Sequence, residues 1–382
     1  MSDDAQIIER IEARVYRVPV ARPVATSFGV MRDRPAVFVK ITAASGAFGW
    51  GEVFANWPAA GAEHRARLLM EDMGDLLPGR RVEHPARTFH ELERATRIRA
   101  LQCGEWGPFR QVIASIDTAL SDLFARAAGQ PVRTWLDASA GASVPAYASG
   151  IAVHDAQEAL ATARAAGYRA FKVKVGFDAA RDLKALHALR LAPGERLFAD
   201  ANQAWTLPEA LRFVEAGRAL GLGWLEEPLP ADAPPADWAD LARASSVPLA
   251  GGENIAGHDA FDAAIASRSF AYLQPDLAKW GGVSGNLAVA RAIGAAGLTY
   301  CPHFLGGGIG LLASAHLLAA AGGDGLLEID ANPNPLREAF PGAGILGDGR
   351  LHLSDAPGLG IDALPEEIGR YLTLELSRTR DG

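Results

Sequence analysis

Lys172 and Lys174 open the chemical reading. In the stretch 170–176 they alternate with Phe171, Val173 and Val175, so a β-strand there turns the apolar residues one way and both ammonium groups the other. Two like charges that close disfavour each other, and partial burial adds to the penalty. One lysine is therefore expected to lose its proton more readily than usual, a base fit for taking protons from carbon. The same Lys-x-Lys pattern on an exposed strand edge would be solvation and nothing more. The choice rests on what the chain sets opposite the pair.

It sets a series of polar residues at a regular interval. Asp200 with Asn202, Glu226, Glu253, Asp276, His303 and Glu328 follow Lys174 at steps of 23 to 27 residues, each at the end of a strand-like core. Asp200, Glu226 and Glu253 come from three consecutive units. Three converging carboxylates repel unless a cation joins them. An all-oxygen set without Cys or His favours Mg²⁺, admits Mn²⁺ and disfavours Zn²⁺. The alternative is a set of salt bridges to Lys172, Lys174 and Lys279. Asp276 and His303 are spaced to form a dyad in which the carboxylate fixes the tautomer of the imidazole and raises its basicity. The run Leu305-Gly306-Gly307-Gly308-Ile309-Gly310 suits either a phosphate cradle or a close approach of chain beside His303.

The elements that must position these groups repeat as strand, loop and helix. Strand-like cores near 145–151, 169–175, 196–202, 223–229, 248–254, 271–277, 298–304 and 326–331 alternate with helical patterns, punctuated by the capping box Thr206…Glu209 and the terminator Gly167. Eight such units predict a (β/α)₈-type barrel with its site at the carboxyl ends of the strands. An open doubly wound sheet is the runner-up, but no glycine-rich dinucleotide turn follows an early strand. The first 130 residues read as an α+β unit, with strands over 7–20, 36–41 and 48–54 and helices over 61–78, 85–98 and 108–128. Residues 19–35 read as a lid loop with three prolines. A helical pattern over 363–372 is expected to pack back on this first unit. The division expected is 1–130 with 355–382 as a cap, and 131–354 as the barrel.

Bulk composition narrows the classes. With 382 residues, 49% hydrophobic and 21% charged, the chain has the balance of a soluble globular protein. Its net charge of −8 argues against nucleic acid or an acidic membrane surface as partner. Two cysteines, an acidic start and the lack of a long apolar run lead to the expectation of a cytoplasmic protein with no disulfide framework, open to assembly as a homo-oligomer.

The constellation resembles the enolase superfamily, in particular its mandelate racemase-like subgroup (the mandelate racemase/muconate lactonizing enzyme family), over nearly the whole chain. The matching motifs are KVK (172–174), DAN (200–202), EEP (226–228), GEN (252–254), PDLAKWGG (275–282), PHF (302–304) and LEID (327–330). The resemblance implies a modified (β/α)₇β TIM-type barrel with an α+β N-terminal capping domain completed by the C-terminal tail. It also implies Mg²⁺ on Asp200, Glu226 and Glu253, and Lys174 as base on one face of the substrate α-carbon with its pKa lowered by Lys172. His303, oriented by Asp276, would serve the other face, and Glu328 would donate or share a proton with the substrate carboxylate. Asn202 and Ser149 would meet substrate oxygens, with Lys279, Trp57 and Phe304 among the remaining contacts. Muconate cycloisomerase and dipeptide epimerase relatives carry a lysine where this chain has Asp276, which disfavours those activities. The chemistry implied is abstraction of the proton α to a carboxylate through an ene-diolate. The expected outcome is dehydration of an acid sugar to a 2-keto-3-deoxy acid, with racemisation of a 2-hydroxy acid and cycloisomerisation of an acid-sugar lactone as alternatives. The apolar lid residues Phe28 and Met31, with Trp57 and Phe304, lean toward a less polar substrate.

Overall fold

The computed structural model describes residues 6–26, 29–343 and 346–380, the side chains of 21–26 excepted; Phe28 lies outside the described residues. The N-terminal unit is a meander of β1 (Gln6–Thr26), β2 (Gly29–Ala43) and β3 (Phe48–Val53), followed by α1 (Gly61–Arg67), β4 (Arg81–Val82), α2 (Pro85–Cys103), α3 (Trp106–Ala127) and α4 (Val132–Leu136). Residues 19–26 and 29–35 are strand and not loop. β1 and β2 continue as a hairpin, pairing Val24 with Met31 and Thr26 with Gly29 after a register shift between Pro19 and Val24. The shift is where prolines without an N–H interrupt the ladder. The helix expected over 61–78 stops at Arg67 and breaks into two shorter turns.

Helix α3 is the axle of the molecule. Its sequence shows one apolar stripe, yet every residue from Gln111 to Ala125 is buried. Small residues allow the sheet to close on one side: a Cβ on Gly51 would stand 2.1 Å from the Ser115 carbonyl oxygen and one on Gly49 2.0 Å from that of Ala119. Barrel helices cover the other side.

The barrel runs β5 (Ser143–Ala152), α5 (Ala156–Ala165), β6 (Ala170–Lys174), α6 (Ala179–Ala188), β7 (Arg196–Asp200), α7 (Leu207–Ala216), β8 (Leu225–Glu226), α8 (Pro235–Ala244), β9 (Leu249–Gly251), α9 (His258–Ser267), β10 (Tyr272–Leu273), α10 (Gly282–Ala295), β11 (Thr299–Tyr300), α11 (Gly308–Ala321) and β12 (Leu327–Asp330). Neighbouring strands from β5 to β11 pair in parallel, and β12 returns to pair in parallel with β5. The Leu326 N–H donates to Cys301 Sγ at 3.3 Å, between the seventh strand and the eighth. This is the (β/α)₇β arrangement. The Thr206 capping box forms as its spacing predicts, with the Thr206 N–H on Glu209 Oε2 at 2.8 Å. Aromatic rings fill the interior, Phe198 stacked on Trp224 at 3.6 Å and Tyr147 edge-on to Trp224 at 5.2 Å, so the barrel is a packed core and not a pore.

A hairpin of β13 (Leu346–Gly347) and β14 (Arg350–His352) pairs with β5. The tail then returns to the first unit, but as a strand. Only Glu366–Tyr371 is helical, in a tight turn, and β15 (Leu372–Thr379) pairs antiparallel with β1. The alternation Leu372, Leu374, Leu376 has the period of a strand and overrides the helical pattern before it. Among the described residues no helix is long and apolar enough to cross a membrane.

Candidate active site

Sheet register builds one side of the site directly. Lys174 pairs with Asp200, and Asp200 pairs with Glu226, so three functional residues share one level of the ladder. Tilted strands must step forward along the chain to keep that height around a barrel. Glu226 is in register with Ala250, Ala250 with Tyr272, and Tyr272 with Thr299. Glu253, Asp276 and His303 therefore stand three to four residues beyond the ladder, on the segments that follow the strands.

The residues come together as a dense ion-pair network. Lys174 Nζ lies 2.6 Å from Asp200 Oδ2. Lys172 Nζ reaches the same oxygen at 3.4 Å, Glu328 Oε1 at 2.7 Å, and Glu226 Oε1 in a shorter contact. Lys279 Nζ meets Glu253 Oε1 at 2.8 Å. His303 Nδ1 lies 2.7 Å from Asp276 Oδ2, and its Nε2 2.8 Å from Glu253 Oε2 and 3.8 Å from Glu328 Oε2. The salt bridges weighed against a metal set are thus present. Among the described residues no three Asp, Glu, His or Cys side chains are gathered as a ready metal cage; Asp200, Glu226 and Glu253 each face a protein cation.

These pairings revise two expectations. Burial pulls the Lys174 ammonium down and Lys172 does so too, but Asp200 and Glu226 together outweigh both and raise the group above its ordinary value. Lys172 is likewise raised, because Glu226 and Glu328 overcome its burial. Lys172 does loosen the Lys174 proton, but the carboxylates beside each lysine outweigh that effect. Glu328 is not a proton donor in this arrangement either. Burial would push it up, but Lys172 and His303 hold it below the usual carboxylate range. It accepts from Lys172, from Ser149 Oγ and from the Phe304 N–H. Burial acts downward on His303, yet Glu253, Glu328 and Asp276 raise it well above an ordinary imidazole.

The remaining expected contacts divide. Asn202, with φ of 45°, is folded back on Asp200 through its backbone and side-chain N–H groups. Lys279 lies over the Phe54 ring at 5.0 Å, beside Asn254. The Phe304 ring is packed where Cβ atoms on Gly306 and Gly310 would stand, so its side chain serves the loop. The Trp57 ring covers Gly29 at the hairpin, and Met31 Sδ accepts from Arg34. The Gly306–Gly310 N–H groups hold no open cradle: Gly307 and Gly310 both donate to Glu52, which decides for close chain approach.

Several residues escaped the sequence reading. Gln274 Nε2 donates to Glu226 Oε2 at 2.6 Å, and Trp224 Nε1 to the same oxygen at 3.1 Å. Gln274 precedes Asp276 by two, the same face of an extended segment, which was the available signal. Glu227, second residue of EEP, is buried and accepts from Asn254. Arg34 of β2 forms a buried ion pair with Asp330 at 2.6 Å, joining cap to barrel beside Ser149.

Charge is out of balance in this cluster. Asp200, Glu226, Glu227, Glu253, Asp276 and Glu328 face Lys172, Lys174, Lys279 and His303, so even a protonated imidazole leaves an excess of two negative charges. Two carboxyls register it: burial, then neighbouring carboxylates, push Glu226 and Glu227 up to about 8.

Two family models match in tandem: the mandelate racemase/muconate lactonizing enzyme N-terminal domain over residues 10–136 and the enolase C-terminal domain-like model over 154–367. The chain belongs to the mandelate racemase/muconate lactonizing enzyme family of the enolase superfamily. Within it, the chain is 30% identical over 359 residues to D-galactarolactone cycloisomerase of Agrobacterium fabrum, covering 87% of this chain and 92% of that one. A mandelate racemase/muconate lactonizing enzyme structure from Bordetella bronchiseptica superposes with a TM-score of 0.91 at 50% identity, covering 96% of this chain and 99% of that one. L-talarate/galactarate dehydratase from Salmonella typhimurium, liganded with Mg and L-lyxarohydroxamate, gives 0.84 at 26% identity, with 98% and 95% covered. The family relatives are dehydratases, cycloisomerases and epimerases, and this chain is an enzyme of that family.

Proposed function

We propose that the protein abstracts the proton α to the carboxylate of an acid sugar and expels the β-hydroxyl, a dehydration to a 2-keto-3-deoxy acid. The observation that carries this reading is the pairing of Lys174, on the second barrel strand, with the His303–Asp276 dyad beyond the seventh, joined through Asp200, Lys172 and Glu328. Lys174 Nζ takes the α-proton. Lys172 and Ser149, both held by Glu328, present donors to the substrate carboxylate as its charge grows. His303 Nε2 delivers a proton to the departing hydroxyl, which leaves as water, and Asp276 on Nδ1 keeps the ring aimed. The enol left behind takes a proton at the β-carbon and becomes the 2-keto acid.

Asp200, Glu226 and Glu253 are the residues that would hold Mg²⁺, or Mn²⁺ in the same donor class. The fit is one of charge and donor type: an all-oxygen, largely buried set, in a cluster whose ionised carboxylates outnumber its cations by two, is what a hard divalent cation matches. Bound there, it would supply positive charge where the substrate carboxylate gains its second negative charge. Asp200 is a group that keeps Lys174 protonated; engaged in holding such a cation, it would release Lys174 to act as the base.

Similarity over nearly full length to D-galactarolactone cycloisomerase favours one second reading, in which the same proton is removed and a lactone ring oxygen is the leaving group. A panel of aldonic and aldaric acids and their lactones, incubated with Mg²⁺ in D₂O, separates the two. The proposal expects a 2-keto product from at least one linear acid, lost with chelator and restored by Mg²⁺. Product from lactones alone would select the second reading, and no solvent deuterium or keto product across the panel with metal bound would overturn both.

A further inference from the structure

The glycine run after His303 is shaped around a side chain from the other unit. Glu52, on β3, is 3% exposed. Its Oε1 accepts the Gly307 N–H at 2.5 Å and its Oε2 the Gly310 N–H at 2.8 Å. Gly307 is the N-cap of α11 and Gly310 lies in its first turn, so one carboxylate satisfies two donors that a helix leaves open at its start. The glycines are what admit it: a Cβ on Gly306 or Gly307 would stand 2.8 or 2.9 Å from Glu52 Oε1. Asn56 adds a second tie from the cap, donating to the Leu305 carbonyl at 2.7 Å.

The segment after Asp276 is held in the same way. Asp117 of α3, 1% exposed, accepts the Ser284 N–H at 2.8 Å in the first turn of α10. Gly282, at φ of 54°, lets the chain pass within reach, since a Cβ there would stand 2.6 Å from Asp117 Oδ2. Both halves of the dyad thus lead directly into helices whose first turns are gripped by buried carboxylates of the N-terminal unit. Among the described residues the lysines have no such tie; β6 is held by β5 and β7.

Resting on the dehydratase reading above, we propose that Glu52 is a positioning residue for proton transfer by His303: it anchors the His303–Gly310 segment from the cap, with Asp117 as its counterpart for Asp276. Burial drives the Glu52 carboxyl up to about 7 against the pull of the Gly310 and Gly307 N–H groups, and the charge of Asp276 adds to the rise, as expected of a group lodged close behind the dyad.

Glu52→Gln keeps the shape, can accept only through its one carbonyl oxygen, and turns an NH₂ against the other glycine N–H. Amide hydrogen exchange followed by mass spectrometry should show peptides spanning 302–312 exchanging at least about tenfold faster in this variant, the loss of one such bond, with 170–176 unchanged. Equal exchange at 302–312, or an equal rise at both, overturns the proposal. On whichever acid of the panel the wild type turns over, Glu52→Gln should lower product formation at least tenfold while solvent deuterium still enters at the α-carbon through Lys174. A parallel fall of both, or of neither, also overturns it. If the wild type turns over nothing, the dehydratase reading fails, and the exchange measurement alone judges Glu52 as the anchor of this segment. Glu52→Asp, which keeps both oxygens but is shorter, is expected to recover part of the protection.

Discussion

The lysine side and the histidine side of the site are built by different means. Lys172 and Lys174 sit on a five-residue strand in continuous register with β7 and paired with β5 across one register shift, and their place follows from the ladder. His303 and Asp276 follow strands of two residues each and stand beyond any ladder, steadied by each other, by Glu253 and by carboxylates of the cap. A wall laid down by backbone pairing moves only if the barrel does. A wall hung on post-strand segments depends on what grips those segments, and can be adjusted without disturbing the sheet. That difference suits a family whose relatives include dehydratases, cycloisomerases and epimerases.

The contrast can be broken at three points. The largest effect is expected from Lys174→Ala, which should cut α-proton exchange for one configuration at the α-carbon by about 10³-fold or more, while His303→Asn leaves that exchange and removes product formation. Retained exchange in Lys174→Ala, measured by NMR in D₂O, would show that the base lies elsewhere. Asp276→Asn should cost less, about 10²-fold in product formation at neutral pH, with exchange through Lys174 spared. A matching loss of exchange would mean that the two walls act as one unit.

The smallest effect concerns stability. His316 lies on α11, the helix that continues the histidine side. Burial, then Arg133, lowers its imidazole from an ordinary 6.5 to about 3, and its Nδ1 accepts the Arg133 N–H at 3.1 Å. The unfolded chain takes up this proton below pH 6.5 and the folded one does not. The contribution is therefore complete above 6.5 and declines as pH falls toward 3, by about 1.4 kcal/mol per pH unit. In denaturant titrations His316→Gln should flatten the acid limb between pH 6 and 4 by up to that slope. An unchanged slope would show that His316 titrates normally in the fold.

Much of the site could be read without coordinates because its residues recur at the length of one strand and one helix, and a barrel converts that period into one rim. The lid and the tail were misread because local pattern competes poorly with pairing. Prolines at 19, 23 and 35 suggest a loop until β1 and β2 are seen to shift register across the first two and to pair through the third, and 363–372 suggests a helix until β1 offers β15 an edge. Glu227 lay inside a recognised motif and Gln274 just before one, but neither had a partner in view. Glu52 and Asp117 had no signal at all beyond being acidic residues in apolar surroundings.

By itself the sequence determined the chemical alphabet of this protein and its order around the barrel, because periodicity and residue type are properties of the chain. Only the tertiary structure decided which charges neutralise one another. Lys174 beside Asp200, Lys172 and His303 around Glu328, and Glu52 at the start of α11 are contacts across 25 to 258 residues. The balance of burial against such partners, which fixes where each proton resides, is set by distance in space and has no counterpart along the chain.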